Sequence, residues 1–203
     1  MHMRLMWSLA ACLALSCAAG ATPAEDYAAW NKVNKDGSWT QAAEAAVKAS
    51  TLATLTPKDI KTFCPAYDGL GADQRTRFWA GLLSAMAKPE SNFKPATKYV
   101  EPDIFDANKQ HVVSRGLLQI SKESANQQAY QCGIRNAEDL HKVDVNLNCA
   151  ARILQHWVAK DGVVAAAAKP AVGGGRYWSV LRAWRGHLDA ISGFTRALDV
   201  CKP

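Results

Sequence analysis

The chain has few of the features that mark metal enzymes, and no pattern typical of nucleic-acid-binding proteins. It contains no Cys-x-x-Cys pair, and its five histidines form no His-Glu-x-x-His motif. Its 24 lysines and arginines give a net charge of +6, but they are scattered, with no basic block interleaved with aromatic residues. We therefore expect neither a metal nor an organic cofactor, and no nucleic-acid partner.

Long apolar runs are also lacking, apart from one at the N-terminus. This run covers residues 5–19, follows the single charge of Arg4, and ends at small residues suited to signal-peptidase cleavage. It is shorter than the roughly 20 apolar residues that a membrane-spanning helix needs. We therefore expect residues 1–21 to be a signal peptide that directs the protein to the periplasm or outside the cell.

The same segment allows a second interpretation of how the protein is exported. Residues 9–12, which end in Cys12, have the pattern of a bacterial lipoprotein box, and a weaker version ends in Cys17. Lipidation at Cys12 would leave a very short apolar region before it, which argues against that interpretation. An outer-membrane lipoprotein stays open as the alternative to a freely exported protein.

Four cysteines follow the predicted signal peptide, and their even number in an exported chain predicts two disulfides. Four cysteines can pair in three ways, and the sequence alone does not choose among them. We favour Cys132 with Cys149, because they bracket a short loop between helical segments. Cys64 with Cys201 would then tie the end of the chain to the rest of the domain.

The part of the chain after the signal peptide suits one domain with a single core. Most of it has helical periodicity, and it contains no internal repeat and no long linker. We therefore expect a mainly α single domain over residues 22–203, including an N-terminal helical extension of about residues 22–70. We expect this domain to be a monomer.

The strongest predicted helix runs over residues 73–88. Phe78, Leu82 and Met86 recur every fourth residue, which places them on one buried stripe. Proline disfavours helical geometry in the residue before it, so Pro89 predicts the end of this helix. That position would leave the next residue, a glutamate, at or just beyond a helix end, where its side chain can point into a cleft.

Two motifs in the sequence resemble the active-site core of a lytic transglycosylase. The first is Glu90-Ser91, followed by an aromatic residue and a proline, and the second is Gly116-Leu117-Leu118-Gln119-Ile120. The resemblance is to the SLT-type members of the lysozyme-like superfamily and covers about residues 78–190. It implies a mainly α, lysozyme-like fold with a short irregular loop or hairpin after the acid.

The resemblance also implies which residues form the site. Glu90 corresponds to the catalytic acid of the family, and Gln119 to a residue that contacts the sugar. The substrate-binding residues implied in this way are Ser91, Phe93, Gly116, Leu118, Gln119, Asn146, Tyr177 and Trp184.

The last motif of the family is the one from which this chain departs most. The family typically has Ala-Tyr-Asn-Ala-Gly, where this chain has Ala183-Trp184-Arg185-Gly186. The tyrosine hydroxyl of the family motif is thus missing, and arginine replaces asparagine. Tyr177 and Tyr99 are the candidates to take over the role of that tyrosine.

The implied substrate is the glycan strand of peptidoglycan, and the implied reaction uses one acid twice. Glu90 would protonate the oxygen between N-acetylmuramic acid and N-acetylglucosamine and then act as a base, closing a 1,6-anhydro ring. Such an acid must stay protonated near neutral pH, which burial among apolar neighbours such as Met86 and Phe93 favours.

Two other functions stay open. A muramidase would hydrolyse the same bond with a second carboxylate. Glu101, Asp103 and Asp106 lie in the irregular segment after the acid, and the short side chains of Asp103 and Asp106 make them the preferred candidates. The other alternative is a peptidoglycan-binding protein without activity, against which the presence of Glu90 argues.

Overall fold

The computed structural model describes residues 27–203, so the predicted signal peptide, Cys12 and Cys17 lie outside the described range. Within that range no helix is long and apolar enough to cross a bilayer. The α-helices of this part of the chain are α1 (Ser38–Lys48), α2 (Ile60–Phe63), α3 (Ala72–Ser91), α4 (Lys122–Ala125), α5 (Val143–Asp161) and α6 (Leu188–Arg196). The strands are β1 (Lys98–Phe105), β2 (His111–Arg115) and β3 (Ile120–Ser121).

Helix α3 runs through the core of the domain. It begins with a cap in which the backbone N–H of Gly71 donates to Oε1 of Gln74 at 3.0 Å. The predicted stripe of Phe78, Leu82 and Met86 is completely buried, as the four-residue spacing requires. Helices α1, α5 and α6 pack around α3, so the residues at its C-terminal end are held by the whole core.

The prediction that α3 ends before Pro89 is wrong, since the helix continues to Ser91. Proline has no backbone N–H and so cannot donate the helical hydrogen bond at its own position. The helical turn that follows Pro89 is held by other hydrogen bonds. The Ser91 hydroxyl donates to the Ala87 carbonyl at 3.2 Å, and the Asn92 N–H donates to the Lys88 carbonyl at 3.0 Å. Asn92 then adopts a left-handed conformation and ends the helix.

The segment after α3 forms a small antiparallel sheet in the order β1-β2-β3. Tyr99 pairs with Ser114, and the register shifts between Val100 and Phe105. Asp106 closes the turn between β1 and β2 by accepting the backbone N–H groups of Asn108 and Gln110, both at 2.8 Å. The irregular insertion expected after the acid is therefore a hairpin.

Two disulfides join distant parts of the domain, and both favoured pairings are confirmed. Cys64 bonds to Cys201, which connects the region after α2 to the last turn of the chain. Cys132 bonds to Cys149, which fastens the loop after α4 to helix α5. The second disulfide closes a loop of 17 residues, and such cross-links restrict the unfolded chain more than the folded one.

Candidate active site

A groove of about 920 Å³ lies where the end of α3 meets the hairpin. Glu90 lines one part of it, and residues of β1 and β2 line another. The remaining wall comes from the segment that begins at Gln119 and from residues 176–185 near the C-terminus. Parts of the chain that are distant in sequence thus converge on one acid.

Glu90 has an environment that favours its protonated form. Its carboxyl is partly buried, and this loss of solvent raises its pKa from an ordinary value of 4.5 to about 8. The negative charge of Glu101 raises the pKa further in the same direction. Glu90 also lies in the last turn of α3, where the helix carries partial negative charge. The surroundings of Glu90 therefore favour its protonated form at neutral pH.

The acid that the hairpin contributes to the groove is Glu101, and not Asp103 or Asp106. Glu101 lines the groove and its Oε1 accepts a hydrogen bond from the Ser114 hydroxyl at 2.7 Å. Asp103 is exposed outside the groove lining, and Asp106 is used to close the β1–β2 turn. The sequence favoured Asp103 and Asp106 as second carboxylates of a muramidase because of their short side chains, whereas of the three hairpin acids Glu101 lines the groove.

A strand pattern gives the signal that could have identified Glu101. Side chains two residues apart lie on the same face of a strand, so Glu101 shares its face with Tyr99, and both line the groove. Ser114, the partner of Tyr99 across the hairpin, is buried beneath them and reaches Glu101. Recognition of the segment as a strand therefore indicates that Glu101 lies beside Tyr99, although the alternation alone also places Asp103 on this face.

Tyr177 lies near Glu90 in the groove. Burial raises the pKa of its hydroxyl, and the charge of Glu90 acts in the same direction, while hydrogen bonds with Ser124 and the backbone of Ser121 oppose the shift. Tyr99, the other candidate for the missing tyrosine, also lines the groove but is 54% exposed on the hairpin. Tyr177 is thus the more firmly placed of the two.

Gln119 also lines the groove, in a conformation that its backbone holds in place. Its φ of 46° lies in the left-handed region, and its Nε2 donates to the Gly116 carbonyl at 2.7 Å. Its Oε1 is buried without a hydrogen-bond partner among residues 27–203. This buried oxygen is thus held beneath the groove surface, while other atoms of Gln119 form part of the groove wall.

Gly116 and Leu118 of the Gly-Leu-Leu-Gln-Ile motif, together with Asn146 of α5, do not line the groove. Leu118 and Asn146 are fully buried. Asn146 accepts from the Leu118 N–H at 2.9 Å and donates to the carbonyls of Arg115 and Leu140, both at 3.0 Å. Gly116 has a φ of +81°, and a Cβ there would lie 2.2 Å from the Leu140 carbonyl oxygen. The expected substrate contacts of these residues are replaced by a structural role.

Three further predicted residues lie away from the groove. Ser91 is buried, and its hydroxyl donates to the helix backbone and not to Glu90. Phe93 lines a separate apolar cavity of about 520 Å³ on the side of α6. Trp184 is 39% exposed and lies in a short 3₁₀ turn. It is not part of the groove lining.

The described residues contain no group of three or more His, Cys, Asp or Glu side chains arranged to hold a metal ion. The chemistry that this arrangement can support on its own is acid–base chemistry. A carboxyl with a raised pKa (Glu90), a second carboxylate that accepts from a serine (Glu101) and a buried tyrosine (Tyr177) all line one groove.

Comparisons with known proteins identify the family. The model of the transglycosylase SLT domain matches residues 70–182. A solved structure of a variant of Bd0314 DslA is similar with a TM-score of 0.79 at 41% identity, covering 87% of this chain and 98% of that chain. Its wild-type form gives a TM-score of 0.78 at 42% identity, covering 86% and 97%.

A second variant of Bd0314 DslA is similar to the same degree, with a TM-score of 0.79 at 41% identity, covering 86% of this chain and 97% of that chain. The two variants each change one glutamate to glutamine, at positions eleven residues apart. Among curated proteins there is no match to this chain. The expected lysozyme-like, mainly α fold is thus confirmed, and the chain belongs to the transglycosylase SLT domain family.

Proposed function

We propose that the protein is a peptidoglycan lytic transglycosylase in which Glu90 acts first as a general acid and then as a general base. Members of its family act on peptidoglycan, which supports glycan strands as the substrate. The observation that carries the proposal is the raised pKa of Glu90, about 8, at the wall of an elongated groove. A carboxylic acid of this kind holds its proton at neutral pH and can give it to a leaving oxygen.

The reaction proceeds in two proton transfers. Glu90 donates its proton to the oxygen that links N-acetylmuramic acid to N-acetylglucosamine, and the bond breaks as positive charge builds on the muramyl ring. The Glu90 carboxylate then takes the proton of the muramyl C6 hydroxyl, whose oxygen bonds to C1. The proton lost in the first step is regained in the second, and no water is consumed.

Neighbouring groups of the groove support these steps. The negative charge of Glu101 keeps Glu90 protonated before the reaction and favours positive charge on the ring as the bond breaks. The Tyr177 hydroxyl, close to Glu90, takes the place of the tyrosine that the last family motif lacks. Gln119 forms part of the groove wall, where its side chain contacts the sugar.

Release of soluble fragments from purified sacculi tests this proposal. The wild-type protein releases them, whereas Glu90→Gln retains its fold and loses at least about a hundredfold in rate, since the proton donor is gone. Asp103→Asn, which changes an exposed acid outside the groove, is the matched control and keeps full activity. A Glu90→Gln variant as active as the wild type would refute the proposal.

A muramidase is the second candidate, and the position of Glu101 is the observation in its favour. Hydrolases of this kind use two carboxylates that flank the scissile bond, and Glu90 and Glu101 line the same groove. They are also eleven residues apart, as are the two glutamates changed in the Bd0314 DslA variants. In this reaction Glu101 would serve as the nucleophile or as the base that activates water.

The location of the substrate gives the rest of the proposal. Peptidoglycan lies outside the cytoplasmic membrane, and the two disulfides suit an oxidising compartment. We infer that residues 1–21 are removed as a signal peptide and that residues 22–203 act as one monomeric catalytic domain in the periplasm or outside the cell. Mass determination of the protein recovered from that compartment tests both the cleavage and any lipid at Cys12 or Cys17.

A further inference from the structure

The groove contains four basic side chains, and they differ in how their charge is balanced. Lys98 pairs with Glu138 at 2.9 Å, and Arg176 pairs with both carboxylate oxygens of Asp161 at 2.6 and 3.1 Å. Arg182 and Arg185 also line the groove, but within residues 27–203 no carboxylate lies within ion-pairing distance of either. Two positive charges are therefore available to a ligand.

Arg182 is held in a fixed position by neutral groups. The residues before and after it are both hydrogen-bonded to Ala166, as in a short parallel bridge. The Ala166 N–H donates to the Leu181 carbonyl, and the Ala183 N–H donates to the Ala166 carbonyl. The Arg182 guanidinium donates from Nε to the Gly175 carbonyl at 2.6 Å and from Nη2 to the Arg176 carbonyl at 3.5 Å. Carbonyls orient the guanidinium without neutralising its charge, so the N–H donors that these two bonds do not use can bind an anion.

Arg185 is brought to the same side of the chain by the turn that follows. Residues Ala183–Arg185 form a 3₁₀ turn, and the N–H of Arg185 donates to the Arg182 carbonyl at 2.9 Å. Arg182 is the extended residue immediately before this turn, and both arginines line the groove. We call Arg182 and Arg185 the arginine pair, and Arg185 stands where the family motif typically has asparagine.

We propose that Arg182 and Arg185 form a subsite for a carboxylate group attached to the muramyl units of the glycan strand. This inference rests on the proposed function, because it assumes that a glycan strand occupies the groove. A guanidinium matches a carboxylate in shape and charge. The muramyl unit offers that group in two forms, the carboxylates of an attached stem peptide and the lactyl carboxylate that is freed when the peptide is removed.

The charges elsewhere in the groove favour this assignment. The acids Glu101 and Glu123 also line the groove, so an anionic strand would be repelled if it met only these carboxylates. Arg182 and Arg185 attract the carboxylate to their own section of the groove. The uncharged sugar rings then lie beside the acidic side chains. This arrangement sets the orientation of the strand relative to Glu90.

Binding measured in the Glu90→Gln background tests the subsite separately from catalysis. The ligands are uncross-linked glycan strands that carry stem peptides, the same strands stripped of peptides by an amidase, and a neutral chito-oligosaccharide of similar length. Arg182→Gln and Arg185→Gln are compared alone and together, because Arg182 also bonds to the backbone. Arg196→Gln, which removes an exposed arginine of α6 outside the groove, is the matched control.

The double variant is expected to bind at least one carboxylate-bearing strand roughly tenfold more weakly, while its affinity for the neutral oligosaccharide stays unchanged. Weaker binding of the peptide-bearing strands assigns the subsite to stem-peptide carboxylates, and weaker binding of the stripped strands assigns it to the lactyl carboxylate. Equal affinity of parent and double variant for both muramyl ligands would overturn the inference, as would an equal loss with the neutral oligosaccharide.

The result is distinguishable from a failure of the proposed function. Glu90→Gln removes the acid and leaves the arginine pair in place, so the affinities do not depend on cleavage. If the wild type cuts no glycan strand but the arginine variants lose affinity as expected, the proposed reaction is wrong and the subsite stands. If the wild type cuts strands and the affinities do not change, only the subsite is wrong.

Discussion

Glu101 and Glu90 face the same groove, and the negative charge of Glu101 makes the Glu90 carboxyl harder to ionise. The Glu101 carboxylate is held by the buried Ser114 hydroxyl, at 2.7 Å. The position of the Glu101 charge is thus fixed within the groove, where it favours the protonated form of Glu90.

This relationship predicts the pH dependence of Glu101→Gln. Removal of the negative charge lets Glu90 ionise more easily, so the pKa of Glu90 falls and the alkaline limb of the pH–rate profile moves to lower pH. The measurement is the rate of fragment release between about pH 5 and 10, with the residual activity of the variant sufficient to define the limb. Asp103→Asn leaves the limb in place, since Asp103 is exposed outside the groove. A limb that stays fixed or rises in Glu101→Gln would contradict the coupling.

The raised pKa of Glu90 also predicts how stability changes with pH. An acid whose pKa is higher in the folded state holds more protons when folded, so the free energy of unfolding falls as pH rises between about 4.5 and 8. Glu90→Gln has no proton to lose. The free energy of unfolding of the variant, relative to that of the wild type, should therefore increase by up to a few kcal/mol as pH rises across this range. The increase is about 1.4 kcal/mol for each unit of difference between the folded and unfolded pKa.

Denaturant unfolding of both proteins at several pH values measures this gain. All other titrating groups are common to the two proteins, so the difference between them isolates Glu90. A difference in unfolding free energy that is constant from pH 4.5 to 8 would show that the Glu90 pKa is not raised.

Tyr177 and Tyr99 differ in how they are placed, and a pair of variants tests the difference. Tyr177→Phe removes a partly buried hydroxyl close to Glu90 and is expected to lower kcat by about tenfold or more. Tyr99→Phe removes a hydroxyl from a half-exposed side chain and leaves kcat within about twofold. Steady-state rates on sacculi measure both, and circular dichroism checks the fold. A larger loss in Tyr99→Phe would assign the role to the hairpin.

Asn146 is predicted to be a stability residue. Asn146→Ala leaves the Leu118 N–H and the carbonyls of Arg115 and Leu140 without their buried partner. The expected loss is about 3 kcal/mol or more in the free energy of unfolding, because unpaired buried polar groups are costly. Asn108→Ala, at an exposed turn, is the control and changes stability by less than about 0.5 kcal/mol. Similar losses in both variants would contradict the structural role.

The parts of the molecule that were predictable from the sequence have local signals. The buried stripe of α3 follows from its four-residue spacing. The two disulfides follow from where helical segments and the chain end lie. The Glu90-Ser91 motif predicts Glu90 as the candidate acid. The burial of Glu90 follows from its position at the end of a core helix.

The parts that were missed depend on contacts between distant segments. Pro89 does not end α3, because the Ser91 hydroxyl and the Asn92 cap secure the next turn. The acid that the hairpin contributes to the groove depends on the register between β1 and β2, which a single sequence does not specify. Leu118 lies in the core although its motif suggests contact with sugar, because the fully buried Asn146 holds its backbone there.

The most direct test of the proposed function is mass spectrometry of the fragments that the mature protein releases from purified sacculi, with Glu90→Gln alongside. We expect the wild type to release 1,6-anhydromuramyl products, which resist reduction. We expect almost no such products from Glu90→Gln. Products with reducing ends, heavier by one water, would contradict the transglycosylase and identify a hydrolase that uses Glu101 with Glu90. Equal release by both proteins would contradict the role of Glu90 itself.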